Sequence, residues 1–178
     1  IELAKPYSQS DMSDFKVGAC GLGSSGALYF GANFEFAGCS LNQTVHAEQA
    51  TVMNAAIHGE TGLKRLAVSA APCGFCRQFL NELSTADSLL VSLNGKPDSG
   101  ISHYLPDAFG PRDLGVEAGM LSPARHVLTG KADSKGAQAA IDRACQSYAP
   151  YTKAYAGAAV TTSQGQIFSA MYLENAAF

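Results

Sequence analysis

Between residues 44 and 93 the chain alternates helix-like and strand-like stretches, and this alternation limits the fold more than any other feature. The run "TVHAEQATVMNAAI" (44 to 57) is rich in helix formers, offers Thr44 as an N-cap and stops at Gly59. "LKRLAVSA" (63 to 70) reads as a buried strand. "PCGFCRQFLNEL" (72 to 83) reads as a helix opened by Pro72, with apolar residues at helical spacing, and "SLLVSL" (88 to 93) as a further strand. Strands that alternate with helices bury their apolar faces in layers, which predicts an α/β domain. Upstream, "FKVGAC" (15 to 20) and "ALYFGANF" (27 to 34) predict two strands joined by "GLGSSG". Gly21, Gly23 and Gly26 spell a dinucleotide-binding G-x-G-x-x-G, but a strand follows where that site needs a helix. The spacing therefore predicts a hairpin turn.

A chain of 178 residues can form one domain with a core and part of a second. Residues 94 to 126 are loop-rich, and "SHYLPDAFGPRDL" reads as an ordered surface loop. The best boundary is "TGKADSKGA" (129 to 137), followed by a helical "AQAAIDRACQSY" and then "YAGAAVTTSQGQIFSAMYLENAAF". That tail repeats residues 16 to 39 at a shift of 139: Gly18 falls on Gly157, Gly26 on Gly165, Tyr29 on Phe168 and Glu35 on Glu174. The expected organisation is a first domain over 1–128, a linker over 129–137 and a truncated second copy over 138–178.

Charge and composition remove several function classes. A formal charge of −3 provides no basic field for a phosphate backbone, which argues against a nucleic-acid partner. No apolar run reaches the roughly 18 residues of a membrane span. Five unevenly spaced cysteines do not make a disulfide framework, so a reducing, cytoplasmic location is expected. The chain opens on Ile1 rather than methionine and is expected to be a processed product or a fragment, which leaves a lost leader open.

The chemistry lies at two predicted helix starts. His46 and Glu48 occupy the first turn of one, Cys73 and Cys76 the first turn of the other. Spacing of i, i+3 puts both sulfurs on one face, and a helix N-terminus favours thiolate. Two thiolates and an imidazole make three zinc ligands, with a fourth tetrahedral position free for water. A lone C-x-x-C could instead be a redox pair or half of a structural zinc site. The other candidate ligands, Cys20, Cys39, His58, His103 and His126, stand at no motif-like spacing.

"HAE" followed by "PCGFC" matches the H-x-E…P-C-x-x-C signature of zinc-dependent deaminases. Together with "SDFKVGA", "GANFE", "VHAEQ", "PCGFCRQF" and "YLPDAFGP", the chain resembles the homodimeric cytidine deaminases over nearly its whole length. The resemblance implies a three-layer α/β/α sandwich around a mixed β-sheet, followed by a partial second copy of the same unit. It implies hydrolysis of cytidine or deoxycytidine to the uridine and ammonia, as in pyrimidine salvage. His46, Cys73 and Cys76 match the ligands of one zinc ion, whose hydroxide would attack C4. Glu48 matches the general acid/base that stays off the metal and shuttles protons. Gln49 stands where three-cysteine relatives commonly carry an arginine, which fits the histidine type.

By the same resemblance Asn33 and Glu35 bind the ribose 3′-hydroxyl, and two residues apart on a strand they face one way. Phe15 matches an aromatic beside the base, although alone it reads as core. Ala47 through its N–H and Ala71 through its carbonyl match backbone contacts to the pyrimidine. Phe109 matches an aromatic inserted by a partner subunit, which makes a homodimer with a shared site; its plainer reading is a loop anchor within its own subunit. In the second copy Tyr172 replaces Asn33, Ala154 replaces Phe15, and no counterpart of His46 falls within the sequence, so that copy is expected to supply no chemistry. Two rivals stand beside this reading. One is a deaminase acting on a polynucleotide, which would need a basic groove; the other is a non-enzymatic zinc-stabilised fold.

Overall fold

The computed structural model describes residues 1–177. Its elements are β1 (Gly18–Gly23), β2 (Leu28–Ala32), α1 (Ala47–Ile57), β3 (Leu63–Val68), α2 (Gly74–Asn81), β4 (Leu90–Leu93), β5 (Ser99–Gly100), α3 (Ile101–Tyr104), α4 (Lys135–Ala144), β6 (Gly157–Thr161) and β7 (Ile167–Met171). The first five strands form one sheet in the order β2-β1-β3-β4-β5. Only β3 and β4 run parallel, because α2 carries the chain back across the sheet between them; the other pairs are antiparallel. The fold is thus the expected mixed α/β class. The Gly-rich segment is a hairpin turn with Gly26 at φ +92°, as its context predicted.

Alternation along β1 separates the layers. Ala19 and Gly21 face α1, and a side chain on Gly21 would meet Thr51; past a shift in register, Gly23 lies against Glu60 and Tyr29. Gly18, on the opposite face, lies against Ile1 and Lys5, so the N-terminal segment covers the second side. The core lies between sheet and helices, with Leu63, Leu66, Val68, Leu80, Leu89 and Val91 at its centre. Gly31 lets α1 sit directly on β2: a Cβ there would collide with the Ala47 carbonyl oxygen and the Thr51 backbone nitrogen.

Several element boundaries differ from expectation. α1 begins at Ala47 with His46 as its N-cap, not Thr44. A 3-10 turn over Leu41–Gln43 intervenes, and the Thr44 hydroxyl donates back to the Leu41 carbonyl (2.6 Å). Pro72 lies one residue before the Cys73 N-cap of α2. Asn33 and Glu35 lie past the end of β2, where Phe34 pairs in isolated bridges with Gln9 and Val45. The stretch 129–137 is not all linker, because Ser134 caps α4 through a bond from the Ala137 N–H (3.1 Å) and the helix starts at Lys135.

The shift of 139 also holds at the level of single hydrogen bonds. Glu35 accepts from the N–H groups of Met12 and Ser13 and from the Ser13 hydroxyl. Glu174 accepts from the N–H groups of Tyr151 and Thr152 and from the Thr152 hydroxyl. Asp14 and Lys153, again 139 apart, both adopt positive φ, 52° and 58°. β6 and β7 pair Gly157 with Met171 as β1 and β2 pair Gly18 with Ala32. Phe178, the last residue of the expected second copy, lies outside the described residues.

Candidate active site

Two helix starts converge, as the placement of α1 and α2 on one sheet requires. His46 Nδ1 lies 3.4 Å from Cys73 Sγ and 3.4 Å from Cys76 Sγ. All three ligand atoms fall within 4.8 Å of one another. Tetrahedral zinc, with bonds of about 2.0–2.3 Å, holds nitrogen and sulfur ligands roughly 3.6 Å apart, so this donor set fits the ion. The other ring nitrogen, Nε2, is 3.4 Å from the Leu41 carbonyl, which can only accept. That contact puts the proton on Nε2 and leaves the Nδ1 lone pair facing the sulfurs. The His46 N–H donates to Gln49 Oε1 (2.9 Å), which fixes the cap that carries the ring.

Burial first, then the charge of Glu48 and the neighbouring Cys73, pushes the Cys76 thiol upward. A bound dication reverses that balance, because a coordinating thiol loses its proton outright. Glu48 sits in the first turn of α1, buried at 4% exposure, close enough for its charge to act on Cys76.

His46 and Cys73 line a cleft of about 340 Å³, a volume in the range of small-molecule sites, while Cys76 is buried beside them. Phe15, Asn33, Glu35, His46, Ala47, Glu48, Ala71 and Cys73 all line it. Asn33 is already heavily engaged. Its Oδ1 accepts from Ser8 Oγ (2.6 Å) and the Val17 N–H (2.8 Å), and its Nδ2 donates to the Phe15 carbonyl (2.9 Å). One amide hydrogen is left for a ligand. Glu35 is held by Met12 and Ser13, and the Ser13 hydroxyl bond is the main cause that lowers its carboxyl pKa.

Phe109 stands apart from the cleft. Gln78 Nε2 (2.7 Å) and Asn81 Nδ2 (3.3 Å) hold its carbonyl against α2, and half of the residue is exposed. Sequence reasoning missed Ser13, Val17, Leu41 and Thr44, which also line the cleft. In the sequence Gln49 reads only as a mark of the histidine type, since a histidine at the cap does not spell the capping-box signature; Leu41, acting through its carbonyl, carries no side-chain signal.

A sequence-family model described as the cytidine and deoxycytidylate deaminase zinc-binding region matches residues 1–92, and a second of the same description matches residues 101–178. A cytidine deaminase of Aliivibrio fischeri is 44% identical over 178 residues, covering 100% of this chain and 60% of that protein. One from Cronobacter sakazakii is 46% identical with the same coverage. The chain thus spans about 60% of the length of these curated relatives. Among solved structures, the cytidine deaminase of Mycobacterium tuberculosis has a TM-score of 0.55 at 32% identity, covering 61% of this chain and 89% of that one. The cytidine deaminase of Burkholderia pseudomallei has a TM-score of 0.53 at 28% identity, covering 61% and 92%.

Proposed function

The chain belongs to the cytidine and deoxycytidylate deaminase family, and from that premise we propose that it hydrolyses cytidine or deoxycytidine to the uridine and ammonia. The observation that carries this reading is the His46, Cys73, Cys76 cluster, whose His46 and Cys73 line a cleft that buried Glu48 also lines. Zinc held by these three residues supplies a water activated for attack at neutral pH. Glu48, off the metal, would take one proton from the attacking water and deliver it to N3 of the pyrimidine, which makes C4 electrophilic as the oxygen adds there. The same carboxylate would then pass the proton of the new C4 hydroxyl to the amine, which leaves as ammonia as the C4 carbonyl forms.

The remaining residues orient the substrate. The N–H of Ala47 and the carbonyl of Ala71 meet the pyrimidine ring, Phe15 flanks it, and Asn33 with Glu35 binds the ribose 3′-hydroxyl. A free 3′-hydroxyl in that position selects a nucleoside over a polymer. Phe109, exposed and outside its own cleft, suits insertion into the cleft of a second copy, which makes the enzyme a homodimer with shared sites. The catalytic unit spans 1–128. The second, non-catalytic unit begins with α4 rather than at 138, since Ser134 already caps that helix. No described helix is long and apolar enough to cross a membrane, and all five cysteines are free, which supports a reducing cytoplasmic location.

The test is zinc content together with uridine release from free cytidine, set against deamination of a single-stranded oligonucleotide by the same full-length sample. Turnover of the nucleoside with about one zinc per chain is expected. Activity confined to the polymer would sink the substrate assignment.

A further inference from the structure

Glu82, directly after α2, is fully buried at 0% exposure, and the first unit alone does not satisfy its carboxylate. Among the described residues its three donors all come from the proposed second copy. Tyr148 Oη (2.6 Å) and Tyr151 Oη (2.5 Å) donate to Oε1, and the Ala176 N–H (3.0 Å) donates to Oε2. The segment that brings Tyr151 into place is the one held by Glu174, the counterpart of Glu35: Glu174 accepts from the Tyr151 N–H (2.9 Å). In the first copy that carboxylate holds the loop carrying Phe15 beside the cleft. In the second it presents a tyrosine to the helix that carries the metal-ligating cysteines.

We propose that Glu82 is a positioning residue for the metal centre, and that the second copy acts on the first by clamping this carboxylate. The proposal rests on the zinc deaminase reading of the cleft. α2 is short, about 12 Å end to end. Cys73 and Cys76 stand at one end and the clamp at the other. Between them Cys76, Phe79, Leu80 and Leu83 form one buried stripe, so the helix moves as a rigid body. The backbone fixes the same end: the Met120 N–H donates to the Glu82 carbonyl (2.7 Å), and the Ser84 N–H donates to the Met120 carbonyl (2.8 Å). A helix so held at its far end delivers its first-turn sulfurs to one place relative to His46. Without the clamp the sulfurs would sample a wider range, and a metal ligand set tolerates such loosening poorly.

The experiment uses Tyr148→Phe, Tyr151→Phe, their double variant and Glu82→Gln in the full-length protein. It reads the rate of zinc release to a chromogenic chelator and the visible spectrum of the cobalt-substituted site. It also reads kcat and KM for cytidine, at a temperature where circular dichroism shows every variant folded. Glu82→Gln removes the charge that the three donors share and sets an amide NH2 either against the Ala176 N–H, which can only donate, or against the two tyrosine hydroxyls, which must then turn to accept. Zinc release about tenfold faster, a broadened cobalt spectrum and a lower kcat at unchanged KM are expected for the double variant and for Glu82→Gln. Should Glu82→Gln fail to fold, the tyrosine variants, which keep the ring packing, decide the matter. A lower Tm with wild-type zinc release and kcat would overturn the proposal and leave Glu82 a structural residue. A wild-type protein that binds no zinc would instead overturn the deaminase reading and this inference with it.

Discussion

Glu48 and Glu35 both line the cleft, yet their surroundings assign them different work. Glu48 is buried within hydrogen-bond reach of the Cys76 thiol, and among the described residues no loop group donates to it, so it is placed to move protons. Glu48→Gln keeps the size and the metal ligands but cannot accept a proton. It should retain zinc and lose roughly 100- to 10,000-fold in kcat, measured by stopped assays on metal-loaded protein. Full activity in that variant would refute the mechanism. Glu35 is the opposite case, half-buried and engaged by Ser13 through both hydroxyl and backbone. These bonds hold its carboxyl pKa below the ordinary 4.5, with the Ser13 hydroxyl the largest cause. A depressed folded-state value means that the latch contributes above the unfolded pKa and is lost as pH falls through the folded one. Ser13→Ala should therefore move the Glu35 carboxyl titration, followed by carbon-13 NMR, back up toward 4.5. An unmoved midpoint would show that Ser13 does not set it.

At the scale of elements, the close seat of α1 on β2 places Glu48 and His46, and Gly31 permits it. Gly31→Ala must push the helix outward, since its Cβ meets backbone rather than a flexible side-chain tip. The expected cost is about 1–3 kcal/mol in urea denaturation, with kcat reduced because the first turn of α1 moves with the helix. A variant of wild-type midpoint and kcat would mean that the contact is softer than its geometry. The elements themselves were legible because hydrophobic periodicity and Gly turns are local properties of the chain. The helix starts were less so. Thr44 has the side chain of a cap, but the 3-10 turn ahead of it consumes that hydroxyl, and a histidine holds the cap position instead. Composition likewise hid the first turn of α4, since "TGKADSKGA" reads as loop while Ser134 serves as a cap. Phe109 shows a further limit: the sequence names an aromatic at a family position, but only the fold places it outside its own cleft.

At the scale of the whole molecule, the question is what the metal holds up. The shift of 139 was visible in a few residues, Glu35 and Glu174 among them, but their matching donors come from loops that no local pattern marks. The later of those loops, through Tyr151, joins Tyr148 and Ala176 in tying the proposed second copy to the first at Glu82, at the far end of α2 from the metal cluster. The core at Leu63, Leu66, Val68, Leu80, Leu89 and Val91 is built from sheet and helix contacts that need no ion. Only Cys76 of the three ligands is buried, and the cluster opens to a cleft. Removing zinc with a chelator should therefore abolish activity while the far-ultraviolet circular dichroism at 25 °C is kept. Tm should fall by roughly 10 °C, the loss expected when a ligand present at about 1,000 times its Kd is taken from a protein of this size. Activity should return when zinc is added back. Collapse of the spectrum on chelation would mean that the ion is the core's missing piece, and the zinc-stabilised fold would become the better account. Retention of the fold with reversible loss of turnover separates the two, because a metal that only stabilises has no reason to sit beside a cleft with the Glu48 carboxyl at its wall.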